Sequence, residues 1–210
     1  MIRKHLKIML ITSVITLLPI LAGIILWKRL PEQLPIHWNA AGEIDGWCGK
    51  AFAVFGLPAI LLAAQWLGTL ITFADPKKSG HSGKILQLVF WLIPVMSLVL
   101  NTITYTTALG IKVPVNVVLP VFLGLLFIII GNYMPKCKQN YTIGIKIPWT
   151  LNSEENWNKT HRFAGRLWVI CGFILIASSF FGKVWISIAA IVPMALAPVI
   201  YSYILHRKGV

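Results

Sequence analysis

Long apolar runs broken by short polar stretches follow one another along the whole chain. Six of them, at 8–27, 52–73, 85–109, 114–134, 163–181 and 184–205, have the length required to cross a membrane. A spanning helix needs about 20 mostly apolar residues, because the hydrocarbon core is roughly 30 Å thick and a helix rises about 1.5 Å per residue. The pattern predicts an all-α, polytopic bundle of six transmembrane helices, with one loop at 28–51 and another at 135–166. Only Gly182 and Lys183 separate the last two runs, which predicts a tight antiparallel pair. No internal repeat or long linker divides the chain, so residues 1–210 are expected to form one membrane domain.

Five of the six runs contain proline: Pro19, Pro58, Pro94, Pro120, and the pair Pro193 and Pro198. Each removes a backbone donor and crowds the preceding turn, so bends are expected, with neighbouring helices covering the freed carbonyls. Bends can serve a hinge or cavity, but proline is also ordinary in membrane helices. Gln65 and Asn101 are the most polar side chains near the middle of a run. No Asp, Glu or Lys stands there to relay ions or protons, which argues against an ion-coupled transporter.

Composition excludes a water-soluble fold. The chain is 57% hydrophobic and 12% charged, against roughly a quarter charged in a soluble domain, and its mean hydropathy is +0.77. The net charge of +13 raises nucleic acid as a partner, yet the basic residues sit in short clusters between apolar runs, as a topology signal does. Arg3, Lys4, Lys7, Lys77, Lys78, Lys84, Lys136, Lys138, Lys146, Lys159, Arg162, Arg166, Arg207 and Lys208 fall on one side, fourteen against the five of Lys28, Arg29, Lys50, Lys112 and Lys183. The positive-inside rule then puts both termini in the cytoplasm and no nucleic acid in direct contact. The basic start leads into a run too long for a signal peptide, with no small-x-small site before Lys28 and Arg29, so it is expected to be a retained first span. Cys48, Cys137 and Cys171 are odd in number and lack CxxC spacing, so neither a disulfide framework nor a bound metal or other cofactor is expected.

Chemistry is then confined to two loops. In the outer one, Pro31 and Pro35 disfavour helix, while Asn39, Gly42, Asp45, Gly46 and Gly49 supply turns. It holds three of the six acids, Glu32, Glu43 and Asp45, beside His37, Trp38 and Trp47, a surface suited to a cationic peptide. The plainer reading is an interfacial aromatic belt whose turn is held by His37 and Asn39; His37 with Asp45 is too few ligands for a metal. In the inner loop, Ile143, Ile145, Ile147, Trp149 and Leu151 require burial by the bundle, the lipid interface or a partner. Asn152 or Ser153 caps a helix with Glu154 and Glu155 in its first turn, expected to continue into the fifth span. Glu154, Trp157, His161 and Trp168 share one face, and Glu155, Lys159, Arg162 and Arg166 another that can attract anionic lipid or an acidic partner. His37 with Asp45, or Glu154 with His161, is the pair a membrane hydrolase or lipid-modifying enzyme would use, but no nucleophile elbow, HExxH or phosphate loop accompanies them.

Asn140, Gly144-Ile145-Lys146, Pro148-Trp149-Thr150-Leu151, Glu154, Trp157, Thr160-His161-Arg162 and Gly165 resemble the motif of the SdpI family of bacterial toxin-immunity membrane proteins. Pro35-Ile36-His37-Trp38-Asn39, with Gly42 and Asp45, resembles that family's companion domain of unknown function. This chain has Lys146 and Ile147 where the pattern has Arg and Thr, and a lysine does not reproduce arginine's bidentate contacts. The resemblance implies a multi-pass protein of the bacterial cell membrane, without catalysis, that protects the cell from a secreted peptide toxin. It also implies capture of a small helix-turn-helix repressor at the cytoplasmic face. The expected ligand-binding residues are His37, Trp38, Asn39, Asp45 and Trp47 for the toxin. For the repressor they are Asn140, Gly144, Lys146, Pro148, Trp149, Thr150, Glu154, Trp157, His161 and Arg162.

Overall fold

The computed structural model describes residues 2–77, 83–182 and 184–210. Lys78 and Lys183 of the charge comparison lie outside the described residues, and with Lys183 half of the connection between the last two runs. The helices are α1 (Ile2–Ile25), α2 (Leu57–Ala74), α3 (Gly83–Ala108), α4 (Val115–Tyr133), a short α5 (Pro148–Asn152), α6 (Glu154–Phe180) and α7 (Val184–Arg207). Among the described residues, six helices are long and apolar enough to cross a membrane, which makes the chain a multi-pass helical membrane protein. A π-helical turn, Phe52–Gly56, runs without a break into α2, so Pro58 lies inside a continuous helix just after the widened turn.

The outer loop is more regular than its prolines suggest. Strands β1 (Gln33–Trp38) and β2 (Ile44–Gly49) pair antiparallel as a hairpin, the one sheet among the described residues. Pro35 costs no more than one ladder bond, and β-branched and aromatic residues at Ile36, Trp38, Ile44 and Trp47 suit an extended backbone.

Packing groups the chain into two compact units, 1–73 with 87–115, and 74–86 with 116–210. In the first, the helices are apolar outward and polar inward. Val14, Ile25 and Leu67 are 62%, 82% and 61% exposed, whereas Thr12, Thr16, Gln65, Thr69, Ser97 and Asn101 are buried. Lipid offers no hydrophobic drive for helices to associate, so close packing and interhelical hydrogen bonds must hold them. Gln65 fastens α2 to α1 through Thr16, 2.5 Å from its Oε1, and Thr12, to which its Nε2 donates at 2.9 Å. The Ser97 hydroxyl donates to the Thr16 carbonyl at 2.8 Å, and that of Tyr105 to the Pro19 carbonyl at 3.1 Å, fastening α3 to α1.

In the second unit, α4 and α6 approach at two reciprocal glycine pairs. A Cβ on Gly165 would lie 2.6 Å from the Gly131 carbonyl oxygen, and one on Gly172 would lie 2.7 Å from that of Gly124. Between α6 and α7 the indole N–H of Trp168 donates to the Met194 carbonyl at 3.0 Å. Met194 stands four residues before Pro198, so this is the carbonyl that the proline leaves without its helical donor.

Candidate functional site

The hairpin is seated on the first unit by Leu34, which is fully buried with Leu30, Ala53, Val54 and Tyr105. At its base Lys50 is buried, yet its Nζ reaches Glu32 at 2.8 Å and lies 5.1 Å above the Trp27 ring, so the charge is paired while the stem is covered. The turn is built by Asn39, whose Oδ1 accepts the amides of Ala41 at 2.9 Å and Glu43 at 3.0 Å, while its Nδ2 donates to Glu43 Oε2 at 2.9 Å. The register slips on either side of His37, leaving Ile36 and Asp45 as the extra residues of two bulges. Bulges re-aim side chains, and here Asp45 Oδ1 comes within 2.6 Å of His37 Nδ1 in the open. Trp47, two residues after Asp45 in β2, is 54% exposed; Trp38 is half-buried. The hairpin thus presents an aromatic ring, carboxylates and an imidazole outward. Asn39→Ala is expected to cost about 1 kcal/mol, seen as faster exchange of the Ala41 and Glu43 amides with the helices unchanged.

The motif segment carries its own core. Asn140, fully buried, accepts the amides of Thr142 at 2.9 Å and Ile143 at 2.7 Å on Oδ1 and donates through Nδ2 to the Lys138 carbonyl at 2.8 Å, turning the chain on itself. Thr150, also fully buried, donates to the Ile145 carbonyl at 2.7 Å and accepts the Ile147 amide at 3.1 Å, which starts α5. Ser153 caps α6 by accepting the Asn156 amide at 3.1 Å, and Glu155 pairs with Lys159 at 2.7 Å one turn on. Trp157 has no exposed surface and packs with Ile85, Cys137, Ile143 and Leu151, its Nε1 donating to the Cys137 carbonyl at 2.7 Å. His161 stacks on it with centroids 4.0 Å apart, its Nδ1 hydrogen-bonded to the Trp157 carbonyl at 2.8 Å and its Nε2 accepting the Ile145 amide at 3.0 Å. Gly144 passes over that ring at φ 118°, where a Cβ would run into His161 Nε2.

Of the ten motif residues singled out in the sequence, Asn140, Thr150, Trp157 and His161 are interior scaffold. Trp149 is half-buried, 5.1 Å from Tyr203 and 6.0 Å from His206 between ring centroids. Gly144, Lys146, Pro148, Glu154 and Arg162 are exposed. Glu154, in the first turn of α6, is exposed at the helix start, whereas Trp157 and His161 further along are buried, and Glu155, Lys159, Arg162 and Arg166 form the exposed basic face with its one acid. Both ring nitrogens of His161 are committed to the backbone, so the Glu154 and His161 pair has no free base. Burial pushes the Cys137 thiol up to about 11, against the pull of its hydrogen bond from Asn140, which makes it a packing group rather than a nucleophile.

One residue of this site was missed in the sequence. Asp75, 2% exposed, accepts the Lys77 amide on Oδ1 at 2.7 Å, and the Tyr141 amide at 2.9 Å and Thr142 hydroxyl at 2.8 Å on Oδ2. Lys77 Nζ adds a 2.6 Å bond to Gln139, whose Nε2 donates to the carbonyls of Thr150 at 2.8 Å and Leu151 at 2.9 Å. The available signal was arithmetic: with three acids in the outer loop and two opening α6, Asp75 is the one acid of six left without a role.

Fold and site together define a multi-pass membrane protein with two ordered segments outside its spans, a hairpin between α1 and α2 and a self-cored motif before α6. The sequence profile of the SdpI/YfhL protein family matches residues 136–202, the motif and the two helices after it. The profile of a domain of unknown function, DUF1648, matches residues 14–62, including the hairpin. The immunity protein SdpI of Bacillus subtilis (strain 168) is 31% identical over 201 residues, covering 94% of this chain and 95% of its own. The chain belongs to the SdpI/YfhL family. No solved structure matches it.

Proposed function

We propose that this chain is a non-enzymatic immunity and receptor protein of a bacterial cell membrane, with both termini cytoplasmic, that protects the cell against a secreted peptide toxin. The observation that carries the reading is the match along nearly the whole chain to a relative named as an immunity protein. The hairpin supports it: Trp47 and Asp45 are both exposed on it, and an aromatic ring and a carboxylate suit the lysine or arginine of an amphipathic cationic peptide. In a toxin-sensitive strain, expression of this chain is expected to restore growth in toxin-containing culture supernatant. Undiminished killing at full membrane expression overturns the reading. Trp47→Ala combined with Asp45→Asn is expected to lower protection at least tenfold at equal membrane abundance; full protection by that variant removes the hairpin from the toxin contact.

The second step is capture of a helix-turn-helix repressor by the motif once toxin is engaged, which requires toxin to bind two states of the protein with different affinity. Lys146, Pro148, Glu154 and Arg162 supply the open surface for that contact, and Asn140, Thr150, Trp157 and His161 hold its shape. A tagged repressor is expected to move to the membrane fraction only with toxin present, and to stay soluble with Lys146→Glu and Arg162→Glu together. Unaltered movement with that pair excludes this face.

A further inference from the structure

We propose that the outward stripe of α6 seats an anionic phospholipid, with its phosphate held between Arg162 and Arg166 and an acyl chain lying along Ile170 and Phe173. From Lys159 the exposed residues of α6 recur every three or four positions through Arg162, Arg166, Ile170 and Phe173, and Phe180 falls on the same side two turns further. That side is charged up to Arg166 and apolar from Ile170 on. Within a single turn, one continuous surface passes from the chemistry of a headgroup to that of a hydrocarbon chain.

The far end of the span sets the depth of the arginines. Phe180, Phe181 and Trp185 are all exposed there, and aromatic rings gather where a helix leaves the hydrocarbon. From Arg162 to Phe180 the helix rises roughly 27 Å, close to the hydrocarbon thickness of about 30 Å. Arg162 therefore stands at the headgroup level and Arg166 one turn below it. Side chains of a helix lean toward its N-terminus, so Arg166 reaches back toward Arg162 and the headgroups with its stem along the apolar stripe.

Lys159 is already paired with Glu155 at 2.7 Å, whereas among the described residues neither arginine has an ion-pair partner. Two open guanidinium groups one turn apart can each fork onto the oxygens of one phosphate. A zwitterionic headgroup brings its own ammonium beside that phosphate, so the anionic lipid gains more from the pair. The acyl stripe adds contact that a free phosphate or an acidic peptide lacks. Arg162 borders the surface assigned above to the repressor and Arg166 does not belong to it, and the seat requires neither toxin nor repressor.

The test titrates the full-length protein, purified in neutral detergent, with phosphatidylglycerol, phosphatidylcholine or glycerol 3-phosphate, and native mass spectrometry reads the tightest-bound molecule. Phosphatidylglycerol is expected to bind about tenfold or more tightly than phosphatidylcholine, with glycerol 3-phosphate not retained. Arg162→Gln with Arg166→Gln is expected to weaken phosphatidylglycerol about tenfold and leave phosphatidylcholine unchanged. Arg166→Gln alone is expected to cost roughly threefold, and Arg166→Lys less, because it keeps the charge and loses the fork. Lys159→Gln is expected to stay within about twofold of the parent, its charge being committed to Glu155. Equal affinity for the two lipids, or tight phosphatidylglycerol binding by the double variant, overturns the proposal. So does glycerol 3-phosphate binding as tightly as the lipid, which reveals a phosphate site with no use for the stripe. Displacement of the lipid by equimolar hexaglutamate assigns the face to an acidic protein and overturns it equally. An unchanged unfolding midpoint shows that the double variant is folded; where it is not, Arg166→Gln decides, and full affinity in it counts against the seat.

Discussion

Trp157→Ala is expected to lower the stability of the second unit by about 3–5 kcal/mol and to release the motif loop. The side chain is the largest of those fully buried, and no neighbour can fill the space by a small shift. It does three things at once: it fills the core with Ile85 and Cys137, it holds the Cys137 carbonyl, and its ring is the floor on which His161 stacks. Loss of that floor frees the imidazole that receives the Ile145 amide, so the path of Gly144 to Ile147 loses its support as well. The measurement is thermal unfolding in detergent or nanodiscs together with exchange of the 140–151 amides. Trp157→Phe separates the contributions: it keeps most of the packing but strands the Cys137 carbonyl, which is expected to cost about 1–3 kcal/mol. An unfolding midpoint unchanged by Trp157→Ala would show that the loop does not depend on this core.

Gly165→Leu is expected to be as damaging by the opposite route. A Cβ at that position would meet the Gly131 carbonyl oxygen at 2.6 Å and two atoms of the Pro135 ring at 2.9 and 3.0 Å, and all three belong to backbone or a rigid ring that cannot swing aside. The same seam is closed at its other end by Gly124 and Gly172, so α4 cannot pivot away from α6 without losing that contact too. Overpacking of this kind costs about 1–3 kcal/mol in soluble cores and occasionally more. Here the loss is expected at the upper end, because close approach of small residues is a main source of helix association in lipid. Gly165→Ala tests the mechanism: the clash is with its Cβ, so alanine alone is expected to reproduce much of the loss. Native yield and midpoint with alanine indistinguishable from the parent would sink the steric account.

The helices were legible because membrane-crossing length is written directly in apolar runs, and the start of α6 because Ser153 and the Glu155 to Lys159 spacing are local signals read over one turn. The hairpin was not. Its bulges at Ile36 and Asp45 break the two-residue alternation that marks a strand, and Pro31 and Pro35 point toward irregular loop. The motif was legible as a set of residues but not as an inside and an outside. Asn140 and Thr150 are polar and would be placed in water by hydropathy, yet each is buried because it satisfies backbone groups that a loop core must satisfy somehow. Asp75 sits beside lysines and so looks like an ordinary surface acid; its burial depends on partners more than sixty residues away, which no local pattern reports.

The inward and outward halves of the motif do not have to change together. Of the two positions where this chain departs from the pattern its motif resembles, Lys146 is exposed and Ile147 half-buried, and neither side chain carries the Asn140, Thr150, Trp157 and His161 framework. A segment built this way behaves like a type block with a fixed body and a replaceable face. A change of partner then needs new charges at a few open positions, with no refolding of the loop that displays them.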